Sequence, residues 1–147
     1  MIEPFNDEYF MKIAFKEALS AYKKGEVPVG AVVVADRKII VRAHNLTETL
    51  NDVTAHAEMQ AITAAANYFG GKYLDACTIY ITLEPCVMCA GALSWARIGR
   101  IVFGAYDEKK GYSRYATDIM HPGTEIAGGV LGKECSELIT GFFKERR

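Results

Sequence analysis

No apolar run in this sequence approaches the roughly 18–20 residues that a membrane-spanning helix needs, so no membrane association is expected. The opening stretch Met1–Lys12 has neither a basic leader nor an apolar signal core, and the expected location is cytoplasmic. Cysteine is scarce: four in 147 residues cannot form a disulfide framework, and a chain of this length builds its own core. An excess of one charge is also missing. Seventeen Lys and Arg against eighteen Asp and Glu leave a formal charge of -1, so a polyanion could be held only through local patches. No repeat, low-complexity tract or linker divides the chain, and residues 1–147 are expected to form a single domain. What is present is a globular balance, half hydrophobic and about a quarter charged.

Periodicity gives the expected elements. Asn6 or Asp7 can cap a first helix, in which Met11, Ala14, Phe15, Ala18 and Tyr22 recur at helical spacing up to a stop at Gly25. The β-branched run Ala31–Val34 and the segment Lys38–Ala43 flank Asp36-Arg37 and read as a hairpin. Residues 45–52 are polar and read as a loop. Thr54 can cap an Ala-rich helix that ends before Gly70-Gly71. Strand Thr78–Thr82, a helix from Cys86 to about Ala96 and strand Arg100–Phe103 then alternate, which calls for parallel crossovers. Ala105–Gly123 shows no sustained period, Glu125–Ala127 can form a short strand, and Cys135 to Phe143 mark a closing helix. The sum is a mixed sheet with helices on both faces.

The chemistry lies in His56, Glu58, Cys86 and Cys89. Cys86-Val-Met-Cys89 at the start of a helix sets two sulfurs on one side, where free amides and the helix dipole favour thiolates. Taken alone, that spacing is equally compatible with a redox motif, half of a structural zinc site or two core cysteines. With His56 as a nitrogen donor, two sulfurs and one nitrogen suit zinc and leave a fourth position open. Glu58, two residues beyond His56, is then placed to carry protons for a zinc-activated water. His44 and His121 are not needed as ligands, and Cys77 and Cys135 fall in apolar patterns expected to be buried.

His56-Ala-Glu58 followed by Pro85-Cys86-Val-Met-Cys89 resembles the zinc-dependent nucleobase deaminases. Glu26-Val-Pro-Val-Gly30, Thr54–Glu58, Thr82–Ala92 and Arg97–Ala105 extend the resemblance to bacterial tRNA-specific adenosine deaminases. The resemblance implies a cytidine deaminase-like three-layer α/β/α domain with a mixed five-stranded central sheet. It also implies one zinc per subunit on His56, Cys86 and Cys89, with Glu58 as the catalytic proton carrier, and a homodimer. The implied reaction is hydrolysis of adenosine to inosine in a tRNA anticodon loop. Residue by residue, Asn45 and the backbone amide of Ala57 would contact the flipped base, and Glu84 would offer its backbone carbonyl. Pro85, Asp107, Lys109, Phe142 and Phe143 complete the implied substrate-binding set. The segment Met120–Ile126 is shorter than the family's and lacks its Asn-His pair, in a region expected to border the substrate mouth.

Several features keep two readings. Asn45 can cap a turn as well as touch a base. Tyr106–Tyr115 interleaves basic and aromatic residues suited to RNA, and a solvated loop has the same composition. Lys144, Arg146 and Arg147 extend that patch or complement the end of the last helix. Helix residues Ala90, Ala92, Leu93, Trp95 and Ala96 demand cover on both sides, from within the domain or from a second copy. Two other functions stay open: a deaminase of a free base or nucleoside such as guanine, cytosine or cytidine, and a non-catalytic zinc-stabilised RNA-binding module.

Overall fold

In the computed structural model, which describes residues 5–146, α1 (Asp7–Lys23) leads into β1 (Gly30–Ala35) and β2 (Lys38–His44). There follow α2 (Ala57–Phe69), β3 (Thr78–Leu83), α3 (Val87–Trp95) and β4 (Arg100–Ala105). A single turn α4 (Tyr112–Tyr115), β5 (Glu125–Ala127) and α5 (Gly132–Glu145) complete the chain. Asn6 is the cap of α1, its side-chain oxygen accepting the Tyr9 amide at 2.9 Å. Gly25, at φ +78°, turns the chain out of that helix. Asp36 and Arg37 both adopt left-handed backbone, the two-residue turn that matches the twist of a hairpin.

The five strands lie in the order β2-β1-β3-β4-β5. β1 pairs antiparallel with β2 and with β3, whereas β3–β4 and β4–β5 are parallel. Strand β3 is central and covered on both faces, so Ile79, Tyr80, Ile81 and Thr82 are all buried. Ala31, Val33, Ile79, Ile81, Ile101 and Phe103 face α2 and α3, packing with Ala57, Ala61, Ala65 and Leu93. Val32, Val34, Tyr80 and Val102 face α1, packing with Phe10, Met11 and Ala14. Helix α5 lies on the α1 side, where Cys135 sits against Gly104. Asp7 fastens the start of α1 to the sheet, receiving the Arg100 guanidinium at 2.7 and 2.8 Å and the Tyr80 hydroxyl at 2.9 Å. The Arg100 bond is the chief reason its carboxyl stays below the ordinary range.

The mixed sheet with helices on both faces is as expected. One local detail differs. Thr54 does not cap α2; its amide and hydroxyl both bond the Asp52 carboxylate, at 2.8 and 2.7 Å, and His56 takes the cap position. An Asp two residues upstream offers Thr54 a local partner, which wins over the more distant helix amides.

Close backbone approach fixes one glycine. A Cβ on Gly30 would run into the Ala14 carbonyl and lie 2.6 Å from the Ala18 nitrogen. Gly30→Ala is expected to cost at least about 1–3 kcal/mol, read as a lower urea midpoint at unchanged slope. Gly71→Ala, which meets nothing within 4 Å, is the control and should stay within about 0.5 kcal/mol.

Candidate active site

Two helices begin at the same corner of the sheet, and their cap residues are His56 of α2 and Cys86 of α3. Both have extended backbone, and neither spends its side chain on capping its own helix. The imidazole and the sulfur therefore point at each other. Cys89, one turn into α3, adds the second sulfur. His56 Nδ1 stands 3.7 Å from Cys86 Sγ and 3.4 Å from Cys89 Sγ, and all three donor atoms lie within 4.8 Å of one another. Bonds of about 2.3 Å to sulfur and 2.0–2.1 Å to nitrogen at a tetrahedral centre put neighbouring donors about 3.5 Å apart. The observed spacings fit zinc held by these three residues, with one position left for a small ligand.

The electrostatics agree. The Cys89 thiol bond, with help from His56 and the Cys89 amide, draws Cys86 down to about 4, so it is a thiolate at neutral pH. Its bond to Cys86, burial and the nearby Glu58 push Cys89 up, and the Cys86 bond raises His56. Glu58, only 4% exposed, is pushed above the usual carboxylate range by burial, which suits a group that must pick up and release a proton. It sits two residues beyond His56, in the first turn of α2.

The remaining expected residues divide. Ala57 is the first residue of α2 and fully buried, where the helix supplies no acceptor for the amide. Asn45 is buried, donating to the Val27 carbonyl at 3.3 Å and accepting the Thr47 amide at 3.1 Å, so its turn-forming role is real. The Pro85 carbonyl accepts the Tyr112 amide at 2.9 Å. The Asp107 carboxylate accepts the amides of Lys109 and Lys110 at 3.1 and 3.0 Å and so shapes its own loop. Asp107, Lys109 and Phe143 line a cleft of about 1000 Å³ together with Tyr106, Lys110 and Lys144. The metal ligands do not line it, but Leu83 and Ala105 do, at the carboxyl ends of β3 and β4.

Phe142 does not reach this cleft. It is buried against Tyr22, ring centres 5.8 Å apart, under the Arg146 guanidinium, because the α5 face that carries it turns toward α1. Only Phe143 of the pair faces outward. The Arg146 guanidinium also donates to the Gly25 carbonyl at 3.2 Å, and Arg147 lies outside the described residues. His121 and Gly123 were expected at the substrate mouth. They line a separate hollow with Arg97, Gly99 and Glu125, at the amino ends of β4 and β5, across the sheet from Cys86. A parallel crossover returns the chain to the strand starts, so a segment just before β5 must lie there. His44 is held by Glu17 and Lys24, each at 2.9 Å, and is no ligand.

Residues 4–105 match the cytidine and deoxycytidylate deaminase zinc-binding region. The chain belongs to that deaminase family. It is 46% identical over 146 residues to the tRNA-specific adenosine deaminase of Bacillus subtilis, covering 96% of this chain and 91% of that one. The enzyme of the same name from Aquifex aeolicus is 46% identical over 145 residues, 95% of both chains. A solved structure from work on A-to-I editing by tRNA:A34 deaminases superposes with TM-score 0.83 at 41% identity, covering 88% of this chain and 98% of that. Guanine deaminase from Bacillus subtilis, 42% identical, superposes with TM-score 0.66 over 69% of this chain and 65% of its own.

Two side chains of the deaminase to which sequence reasoning gave no role are the buried carboxylates of Glu26 and Glu84. Glu26, 0% exposed, accepts the Glu48 amide at 3.0 Å and the Thr49 amide and hydroxyl at 2.6 and 2.7 Å. Burial opposes its charge, but these donors hold its pKa below the ordinary range. The Glu84 carboxylate, to which the sequence reading gave no role beside that of the backbone carbonyl, accepts bonds from Asp107 and Ser113. The available signal was an acidic residue set into an apolar run, Gly25-Glu-Val-Pro-Val and Thr82-Leu-Glu-Pro.

Metal content separates ligand from bystander in the deaminase. Wild-type protein should hold about one zinc per chain by elemental analysis, and Cys86→Ser or His56→Ala a small fraction of that, with a lowered melting midpoint.

Proposed function

We propose that the chain hydrolyses the 6-amino group of the wobble adenosine in a tRNA anticodon, releasing ammonia and leaving inosine. The observation that carries the reaction is the buried, proton-ready Glu58 beside the His56, Cys86 and Cys89 donor set. The substrate rests on the near-full-length relatives named tRNA-specific adenosine deaminase and on the cleft with Lys109, Lys110, Lys144 and the exposed rings of Tyr106 and Phe143. Such a surface suits phosphates and unpaired bases, and a base in a loop leaves its stack at small cost.

When bound, zinc supplies an activated water at neutral pH. Glu58 would take one proton of that water on its carboxylate and pass it to the ring nitrogen N1, then take the water's second proton from the new C6 hydroxyl and pass it to the departing amine. Asn45 and the Ala57 amide meet the base, and the Glu84 carbonyl meets the amino group. Low exposure of Glu58 and Cys89 keeps bulk water from competing for those protons. A non-catalytic zinc module has no use for a buried carboxyl there, because burying an unneeded charge is costly. Glu58→Ala should therefore retain zinc and fold while losing at least about a thousandfold in inosine formation on an anticodon stem-loop. Residual activity near wild type would sink this mechanism.

The guanine deaminase likeness favours one competing substrate, a free base. Steep loss of turnover with rising salt marks the tRNA reading, since phosphate contacts release counterions.

We further propose a homodimer acting in the cytoplasm. Helix α3 buries Cys89, Ala90 and Leu93 but exposes Val87, Met88 and, at 85%, Trp95, one face at helical spacing. No helix among the described residues is long and apolar enough to cross a membrane. An exposed stripe of this kind suits a second copy. Sedimentation at micromolar concentration should give two copies, and Trp95→Glu should shift the protein to one.

A further inference from the structure

Glu84 stands at the end of the site where β3 gives way to Pro85 and the ligand Cys86, and it is 3% exposed. Its Oε1 accepts the Asp107 amide at 3.1 Å. Its Oε2 accepts the Ser113 amide at 3.1 Å and the Ser113 hydroxyl at 2.5 Å. One carboxylate thus grips both ends of the segment that bears Lys109 and Lys110. Gly111 clears the space: a Cβ there would strike the Glu84 carboxyl carbon and stand 2.5 Å from the Asp107 carbonyl. Gly111 also pairs with Cys86 across an isolated bridge, so the gripped loop adjoins the ligand segment.

We propose that the Glu84 carboxylate is a positioning residue that sets the Asp107–Ser113 loop as the RNA-facing wall of the cleft. The proposal rests on the tRNA reading above and deepens it. A buried carboxylate with amide and hydroxyl donors at both loop stems is a rigid hub, whereas a loop needing only cover would take an apolar side chain. Through that hub the backbone around Lys109 and Lys110 is referred to the same segment that carries Cys86. The lysines then meet phosphates at a fixed offset from the reacting base, and little ordering is left to binding. Glutamine cannot replace the carboxylate. Its amide nitrogen is a donor and would face a donor at whichever stem it met.

The test uses full-length zinc protein and an anticodon stem-loop RNA. Glu84→Gln should raise KM about tenfold, with a smaller effect on kcat. Ser113→Ala, which removes only the hydroxyl bond, should raise KM about threefold with kcat within about twofold of wild type. Gly111→Ala should resemble Glu84→Gln. The salt dependence of KM should flatten in Glu84→Gln, as disordered lysines contribute fewer phosphate contacts. Amide exchange across 106–113 should quicken while that of β3 holds. Unchanged KM in Ser113→Ala and Gly111→Ala proteins that hold one zinc per chain overturns the proposal, even if Glu84→Gln fails to fold. A fall in kcat at constant KM also overturns it. Wild-type protein that makes no inosine overturns the tRNA reading instead, and unaltered loop exchange in the variants then overturns the clamp independently of substrate.

Discussion

Everything at the candidate site depends on two helix amino termini meeting over the end of one strand. A helix start leaves amides unpaired and a partial positive charge, and the usual remedy is a cap side chain folded back on its own helix. Here the cap residues are His56 and Cys86, and both side chains reach outward instead. The cost of two uncapped helices is offset by what the arrangement does for the donors. The Cys89 thiol, His56 and the Cys89 amide favour thiolate at Cys86, and the helical rise brings Cys89 to the same point. Neither helix alone could hold a cation with this geometry. The crossover from β2 through α2 delivers the nitrogen, and the crossover from β3 through α3 delivers both sulfurs.

Around that point the walls are braced by carboxylates in the interior. Glu26 follows α1 and holds the turn after Asn45; Glu84 follows β3 and holds the loop after β4. Each would destabilise the fold if left alone, since a buried carboxylate without donors is costly, and each is given several amides and hydroxyls. Irregular backbone is thereby made as definite as helix or strand. The loops that border the site can then carry polar residues without losing shape.

The sequence made the elements and ligands legible because both are local signals. The run Ala31–Val34, the Ala-rich stretch of α2 and Cys86-Val-Met-Cys89 announce themselves within a few residues. Glu26 and Glu84 were missed as clamps because their partners lie more than twenty residues away, and nothing in spacing reports such a contact. Phe142 and Phe143 could not be told apart by composition; which one is buried follows from how α5 is rotated against Tyr22. The stretch around His121 was misplaced because sequence order gives no hint of which end of a parallel sheet a connecting segment visits. Thr54 was lost to a nearer partner, Asp52.

The borders of the sheet have a consequence of their own. One border is β5, only three residues long with Glu125 exposed, and the other is β2, which turns Lys38 and Arg42 outward beside an irregularity in its pairing with β1. A short, charged or uneven margin gives an incoming backbone little to zip against. Fibre-like stacking of copies is therefore disfavoured, and the apolar central ribbon stays sealed even though it would be among the more aggregation-prone stretches if bared.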